Sequence, residues 1–145
     1  MRAYTERYRS TDVGTVNRVR LVIMMYEGAI AAIRAARKHL EGGNLSRKGT
    51  YVNRAGSIVA ELQSVLDMEK GGEISRNLDR LYAYVIEQLT EANIENNPAK
   101  LAVAERVLSI LKEGWDGIAH MPEVQTAGMP AQRARTAPPQ LAAQP

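Results

Sequence analysis

The chain has 145 residues, of which 45% are apolar, and its formal net charge is +3. This length suits one domain with its own hydrophobic core, and the apolar fraction argues against disorder throughout. Because there is no cysteine, a disulfide framework, a thiolate metal site and a cysteine nucleophile are all excluded. The N-terminus lacks the apolar run and cleavage site of a secretory signal, so we expect a cytoplasmic protein that does not insert into membranes.

Hydrophobic spacing predicts two helices in the first half of the chain. In the first, apolar residues recur at steps of three and four from Val16 to Ile33, and glycines 42 and 43 end the pattern. The second runs from about Ser46 to Met68, with its apolar stripe spaced in the same way, and stops at Lys70-Gly71-Gly72.

Two more helices are predicted in the second half. The third begins near Glu73 and ends at Asn96-Asn97-Pro98, where Asn97 can cap the next helix and Pro98 suits its first position. The fourth carries an apolar stripe from Leu101 to Ile118. The short connections predict an all-α, antiparallel up-down four-helix bundle.

We assign the bundle to residues 15–120. Residues 1–14 are polar with isolated apolar positions and are expected to form a flexible N-terminal segment. Residues 121–145 are rich in proline and alanine, with five of the six prolines, and are expected to be a disordered tail.

The sequence offers no catalytic or metal-binding constellation. A di-metal bundle needs Glu-x-x-His pairs, but Ala36 precedes His39 by three positions and Gly117 precedes His120 by three. The serines are scattered, and no glycine-rich phosphate loop follows a strand. We therefore predict a protein that is not an enzyme and has no cofactor.

Two short stretches of the sequence have alternative functional interpretations beside ordinary structural ones. His39-Leu40-Glu41-Gly42 is superficially like a histidine phosphotransfer site, but a histidine in the last turn before a glycine more commonly interacts with the helix dipole. A basic cluster lies around the first turn, at Arg34, Arg37, Lys38, Arg47 and Lys48. No aromatic residues are interleaved there to stack on bases, so we expect no nucleic acid partner.

Several helices carry more apolar surface than one bundle-facing stripe requires. The additional positions are Val22, Met25, Ala29, Ala32 and Ala36 on the first helix, Val52, Val59 and Leu66 on the second, and Tyr82 and Ile86 on the third. A surplus of this kind is expected to be covered by a dimer partner, by the N-terminal segment or by a foreign peptide.

The order and spacing of several short motifs resemble those of the FliS family of flagellin export chaperones. The matching stretches are, in chain order, Leu21-Val22-Ile23-Met24-Met25-Tyr26-Glu27-Gly28-Ala29-Ile30, Asn53-Arg54-Ala55, Gly71-Gly72-Glu73-Ile74, Leu81-Tyr82 with Tyr84, Leu89 with Glu91-Ala92-Asn93, and Trp115. The resemblance covers about residues 4–118. Thr15-Val16-Asn17-Arg18 departs from the small residue and proline that commonly start the family's first helix.

The resemblance implies a chaperone that binds the disordered C-terminal region of flagellin, prevents premature polymerisation and delivers it to the flagellar type III export gate. It also points to a homodimer without cargo, as family members often form, and to Tyr8 as a residue that covers part of the cargo site. The other cargo contacts implied are Ile23, Tyr26, Gly28, Ile30, Ile58, Leu62, Tyr82, Leu89 and Asn93. Because apolar residues also build cores, we expect about half of the hydrophobic ones to be core residues.

Among those residues, Gly28 is expected to permit the close approach of another helix or peptide, since a helix-interior glycine needs a reason. Asn93 can pair with both groups of an incoming backbone. The competing interpretation is a generic helical oligomer whose surplus apolar surface is buried in a permanent dimer.

Overall fold

The computed structural model describes residues 15–121, which form four α-helices and no strand. The helices are α1 (Thr15–Glu41), α2 (Leu45–Ser64), α3 (Gly72–Glu95) and α4 (Pro98–Ala119). This confirms the predicted all-α helical bundle. Residues 1–14, and the predicted tail beyond residue 121, lie outside the described residues.

The predicted helix stops coincide with identifiable capping interactions. Gly43 has φ +77°, and the Asn44 side chain then caps α2 by accepting a hydrogen bond from the Arg47 backbone N–H at 3.0 Å. Asn96 ends α3 in the left-handed conformation, with φ 53°. As predicted, α4 begins at Pro98, and the Asn97 side chain accepts a hydrogen bond from a backbone N–H of its first turn.

The second helix ends earlier than predicted. Apolar residues continue the helical spacing to Met68, but α2 stops at Ser64. At that end the Ser64 hydroxyl donates to the Glu61 carbonyl at 2.8 Å, and just beyond it the Asp67 carboxylate accepts hydrogen bonds from the backbone N–H groups of Glu69 and Lys70 at 3.1 and 2.9 Å. This local side-chain-to-backbone pairing replaces the helical pattern with a turn.

Helices α2 and α3 form an antiparallel pair on either side of that turn. At one end Lys48 reaches Asn93, and at the other end Gln63 donates a 2.9 Å hydrogen bond to the Asp79 carboxylate. These two bridges fix the register between the helices along most of their length.

The chain contains two compact units. The larger, Met24–Lys112, contains α2, α3, most of α1 and most of α4, and its core includes Tyr26, Ile33, Leu62 and Leu101. The smaller contains, among the described residues, 15–23 and 113–121. In its described part, Val19 and Leu21 are buried.

The second apolar stripe of α1 is core rather than free surface. Within the larger unit, Met25, Ala29, Ala32 and Ala36 are each no more than 3% exposed. The chain itself therefore covers these four positions, and of the three covers expected from the sequence, neither a dimer partner nor a foreign peptide is needed for them. Three of the four are alanines, whose short side chains fill little space, so neighbouring groups can approach this side of the helix closely.

Candidate functional site

A groove of about 430 Å³ runs between α2 and α3, both within the larger unit. Its volume falls in the range of ligand-binding clefts. The lining residues are Val52, Asn53, Gly56, Ser57 and Ala60 from α2, and Ile86, Leu89, Thr90, Asn93 and Ile94 from α3. Val52 and Leu89 are buried, whereas Ile94 is 77% exposed, so the groove combines a buried apolar part with an accessible apolar residue.

Small side chains on α2 make room for this groove. Its lining positions recur at steps of one and three, which places them on one helical face. Gly56, Ser57 and Ala60 project little from that face, and a Cβ atom added at Gly56 would meet no atom within 4 Å. Because a glycine inside a helix is less favourable than alanine by about 1 kcal/mol, an open glycine in this position is consistent with a site kept free for another molecule.

The polar end of the groove is organised by a buried cation. The Lys48 residue is only 5% exposed, and its ammonium donates hydrogen bonds to Asn93 at the backbone carbonyl, 2.9 Å, and at Oδ1, 2.7 Å. The carbonyl belongs to the last turn of α3, where backbone acceptors have no partner within the helix. Lys48 therefore stabilises the end of α3 and fixes the orientation of the Asn93 side chain.

The structure places two of the ten predicted contact residues, Leu89 and Asn93, in the groove. Five others are no more than 6% exposed, namely Tyr26, Ile30, Ile58, Leu62 and Tyr82. The chain itself covers these five residues in this structure. Ile23 is half-buried in the smaller unit, and Tyr8 lies outside the described residues.

Gly28 lies close to a helix of its own chain. A Cβ atom added there would be 3.5 Å from Ile58 Cδ1, which is ordinary van der Waals contact. The helix that approaches Gly28 in this structure is therefore α2.

The predicted tyrosines form a buried polar pair. The hydroxyl oxygens of Tyr26 and Tyr82 lie 2.5 Å apart, and their rings are 6.3 Å apart between centroids. Burial raises the pKa of the Tyr82 hydroxyl far above its ordinary value, and the neighbouring Tyr26 hydroxyl adds to the effect. The Tyr82 hydroxyl is accordingly neutral and serves as a hydrogen-bonding partner within the core.

Within residues 15–121, no three acidic, histidine or cysteine side chains are placed to hold a metal ion. The helices in the same range are also too short or too polar to cross a membrane.

Comparison with known proteins gives the family. The profile of the family described as flagellar protein FliS matches residues 1–122. The chain belongs to the FliS family.

Curated relatives of this FliS-family chain are named as chaperones. The flagellar secretion chaperone FliSB of Pseudomonas aeruginosa is 36% identical over 120 residues, which cover 83% of this chain and 95% of the relative. The flagellar secretion chaperone FliS of Salmonella typhimurium is 35% identical over 119 residues, covering 81% and 88%. That of Vibrio cholerae is 31% identical over 118 residues, covering 81% and 87%.

In this FliS-family chain, sequence reasoning missed much of the groove on α2. Asn53, Gly56, Ser57 and Ala60 were not among the predicted contact residues, although all four line it. One signal was present in the sequence, because Gly56 is a helix-interior glycine like Gly28 and needs the same kind of explanation. Which side of α2 faces α3 cannot be read from that glycine alone.

Proposed function

We propose that the chain is a cytoplasmic chaperone that binds the disordered C-terminal region of flagellin in the α2–α3 groove. In this function it prevents premature polymerisation of flagellin and delivers it to the flagellar type III export apparatus. Membership of the FliS family, together with the relatives named as flagellar secretion chaperones, supports the export role. The observation that supports the location is the open groove around Gly56, which contains an exposed isoleucine and a polar end.

The groove suits a short amphipathic helix. From Val52 to Ala60, its α2 side extends over eight helical rises, or about 12 Å, which equals roughly two turns of a bound helix. Apolar residues of that helix would cover Leu89, Ile86 and Ile94, as in other complexes in which a helix occupies a groove. A disordered segment that folds in this way gains apolar contacts that offset the loss of its conformational entropy.

Further apolar surface suits a longer cargo segment. Leu81 and Tyr84 on α3, and Val103 and Ile110 on α4, are large apolar residues that are at least 36% exposed. A flagellin segment that continues beyond the groove would find contacts at these positions. The proposal also includes partial cover of the cargo site by the N-terminal segment with Tyr8, and a homodimer in the absence of cargo.

Calorimetric titration with the C-terminal segment of flagellin from the same organism tests the binding. We expect tight binding with a large negative heat-capacity change, the signature of apolar burial coupled to folding. If the folded chain produces no heat and no binding at several temperatures, the flagellin proposal fails and a self-contained oligomer is favoured.

A pair of matched variants tests the location of the site. Gly56→Leu fills the groove, whereas Gly114→Leu makes the same change on α4, and neither glycine has a neighbouring atom within 4 Å of an added Cβ. Leucine favours helix more than glycine, so neither variant is expected to lower the melting temperature. We expect Gly56→Leu to weaken binding by at least about tenfold, or 1.4 kcal/mol, and Gly114→Leu to leave it unchanged. Wild-type affinity in Gly56→Leu would show that flagellin binds elsewhere.

A further inference from the structure

We infer that the α2–α3 groove binds its helical cargo in one direction, with the C-terminal end of the bound helix beside Asn93 and Lys48. This inference rests on the proposed function, since it concerns the same groove. It adds a direction, which follows from the hydrogen-bonding groups and charges at the two ends of the groove.

Asn93 offers the cargo an unengaged side-chain donor, while both of its oxygens are already engaged by Lys48. Its side-chain and backbone oxygens both accept hydrogen bonds from Lys48, which leaves the amide nitrogen with its two N–H groups. The Asn93 amide nitrogen forms no hydrogen bond. Every buried side-chain nitrogen or oxygen among the described residues does have a partner, so this nitrogen is not buried. It is therefore accessible, on a residue that lines the groove.

A donor is the group that the C-terminal end of a helix requires. The last four carbonyl groups of a helix have no partner within it, whereas the N-terminal end presents unpaired N–H groups. The Asn93 amide would pair with a carbonyl of a bound helix and would face a second donor if the helix were reversed. The Thr90 hydroxyl, also in the groove, donates its hydrogen to the Ile86 carbonyl at 2.9 Å, so it is not a further donor to the cargo.

The charge at this end favours the same direction. The dipoles of α2 and α3 oppose each other because the helices are antiparallel, so they largely cancel. The Lys48 ammonium is then a positive charge held only by the neutral oxygens of Asn93. Nearby on the last turns of α3, Glu91 and Glu95 are ion-paired with Lys100. A positive charge attracts the negative, carbonyl end of a bound helix.

Disulfide capture tests the direction, and the cysteine-free chain is well suited to it. Two full-length variants place a cysteine at opposite ends of the groove, Ala60→Cys and Ile94→Cys, both at exposed positions. Each variant is mixed with a set of flagellin C-terminal segments. Every segment carries a single cysteine, and its position advances by one residue from one segment to the next. We expect the segment positions captured by Ile94→Cys to lie C-terminal to those captured by Ala60→Cys, by about eight residues for a 12 Å groove.

The reverse order, or the same positions captured by both variants, would overturn the inference. Titration of the unsubstituted protein with the same segments separates this result from failure of the proposed function, since absence of binding by that protein would refute the function itself.

Asn93→Asp provides a second readout that a purely structural role would not change. The carboxylate still accepts from Lys48, but it removes the donor and adds a negative charge beside the expected carbonyl end. We expect the affinity for the flagellin segment to fall by about tenfold while the melting temperature does not fall. Asn77→Asp, the same change on α3 at an exposed position outside the groove lining, should alter affinity less than about twofold. Unchanged or tighter binding by Asn93→Asp would overturn the inference.

Discussion

Replacing Lys48 by methionine tests whether the buried ammonium holds the two helices of the groove together. The substitution keeps a long unbranched side chain and removes two hydrogen bonds, of 2.9 and 2.7 Å, to Asn93. Hydrogen bonds to charged groups contribute about 1.5–3 kcal/mol each, and the orphaned oxygens add a desolvation penalty. Against this, methionine avoids the unfavourable dehydration of a buried ammonium, which amounts to a few kcal/mol. We expect a net loss of about 2–3 kcal/mol in the free energy of unfolding.

Urea denaturation followed by circular dichroism measures this loss. With a slope of about 1–3 kcal/mol per molar urea, the midpoint of Lys48→Met should fall by about 1–2 M. Lys38→Met is the matched control, because Lys38 is exposed near the end of α1, and it should change stability by less than about 0.5 kcal/mol. If the two variants have the same midpoint, Lys48 does not contribute through its bonds to Asn93, and the account of the polar end of the groove is wrong.

Two further predictions concern the turn and the core. Gly71→Ala should lower the melting temperature, by an amount equivalent to about 1–3 kcal/mol, because the new Cβ would lie 1.6 Å from Ser75 Oγ and 2.8 Å from the Asp67 carbonyl oxygen. Differential scanning calorimetry measures the change, and an unaltered melting temperature would show that the turn can relax. For Tyr82, burial raises the pKa of the hydroxyl in the folded state. The contribution of this neutral hydroxyl to the free energy of unfolding is therefore complete below its unfolded-state pKa of about 10, and is progressively lost as the pH rises above that pKa. We therefore expect the free energy of unfolding to fall between about pH 9.5 and 11, and to fall less steeply with pH in Tyr82→Phe. Urea denaturation at several pH values measures this, and an equal dependence on pH in the two proteins would contradict it.

The helices could be predicted because their signals are local. Gly43, Asn97 and Pro98 act through backbone conformation and capping within a few residues, and the structure confirms their roles at helix boundaries. The end of α2 was predicted four residues too late, since apolar residues continue the spacing to Met68. There the Asp67 carboxylate captures backbone N–H groups and prevails over the periodic pattern.

The site was less predictable because periodicity shows which residues share a helical face but not what that face contacts. Tyr26 and Leu89 occupy similar apolar stripes in the sequence, yet only Leu89 lines the groove while Tyr26 bonds to another core tyrosine. Lys48 belongs to the basic cluster around the first turn, and nothing in that cluster indicates which of its residues is buried. Its burial depends on the register between α2 and α3, which places it against Asn93, 45 positions away in the chain. No spacing within one helix contains that information.

The groove is built entirely from one stretch of chain, since all its lining residues lie between Val52 and Ile94 on two consecutive helices. Its closing contacts, Gln63 with Asp79 and Lys48 with Asn93, join residues 16 and 45 positions apart. Because the two helices are consecutive and joined by a short turn, their pairing requires less loop closure than pairing of elements further apart in the chain, which favours rapid folding. We therefore expect the α2–α3 hairpin to form early as the chain folds. A chain organised in this way would form this groove before contacts of longer sequence separation are complete.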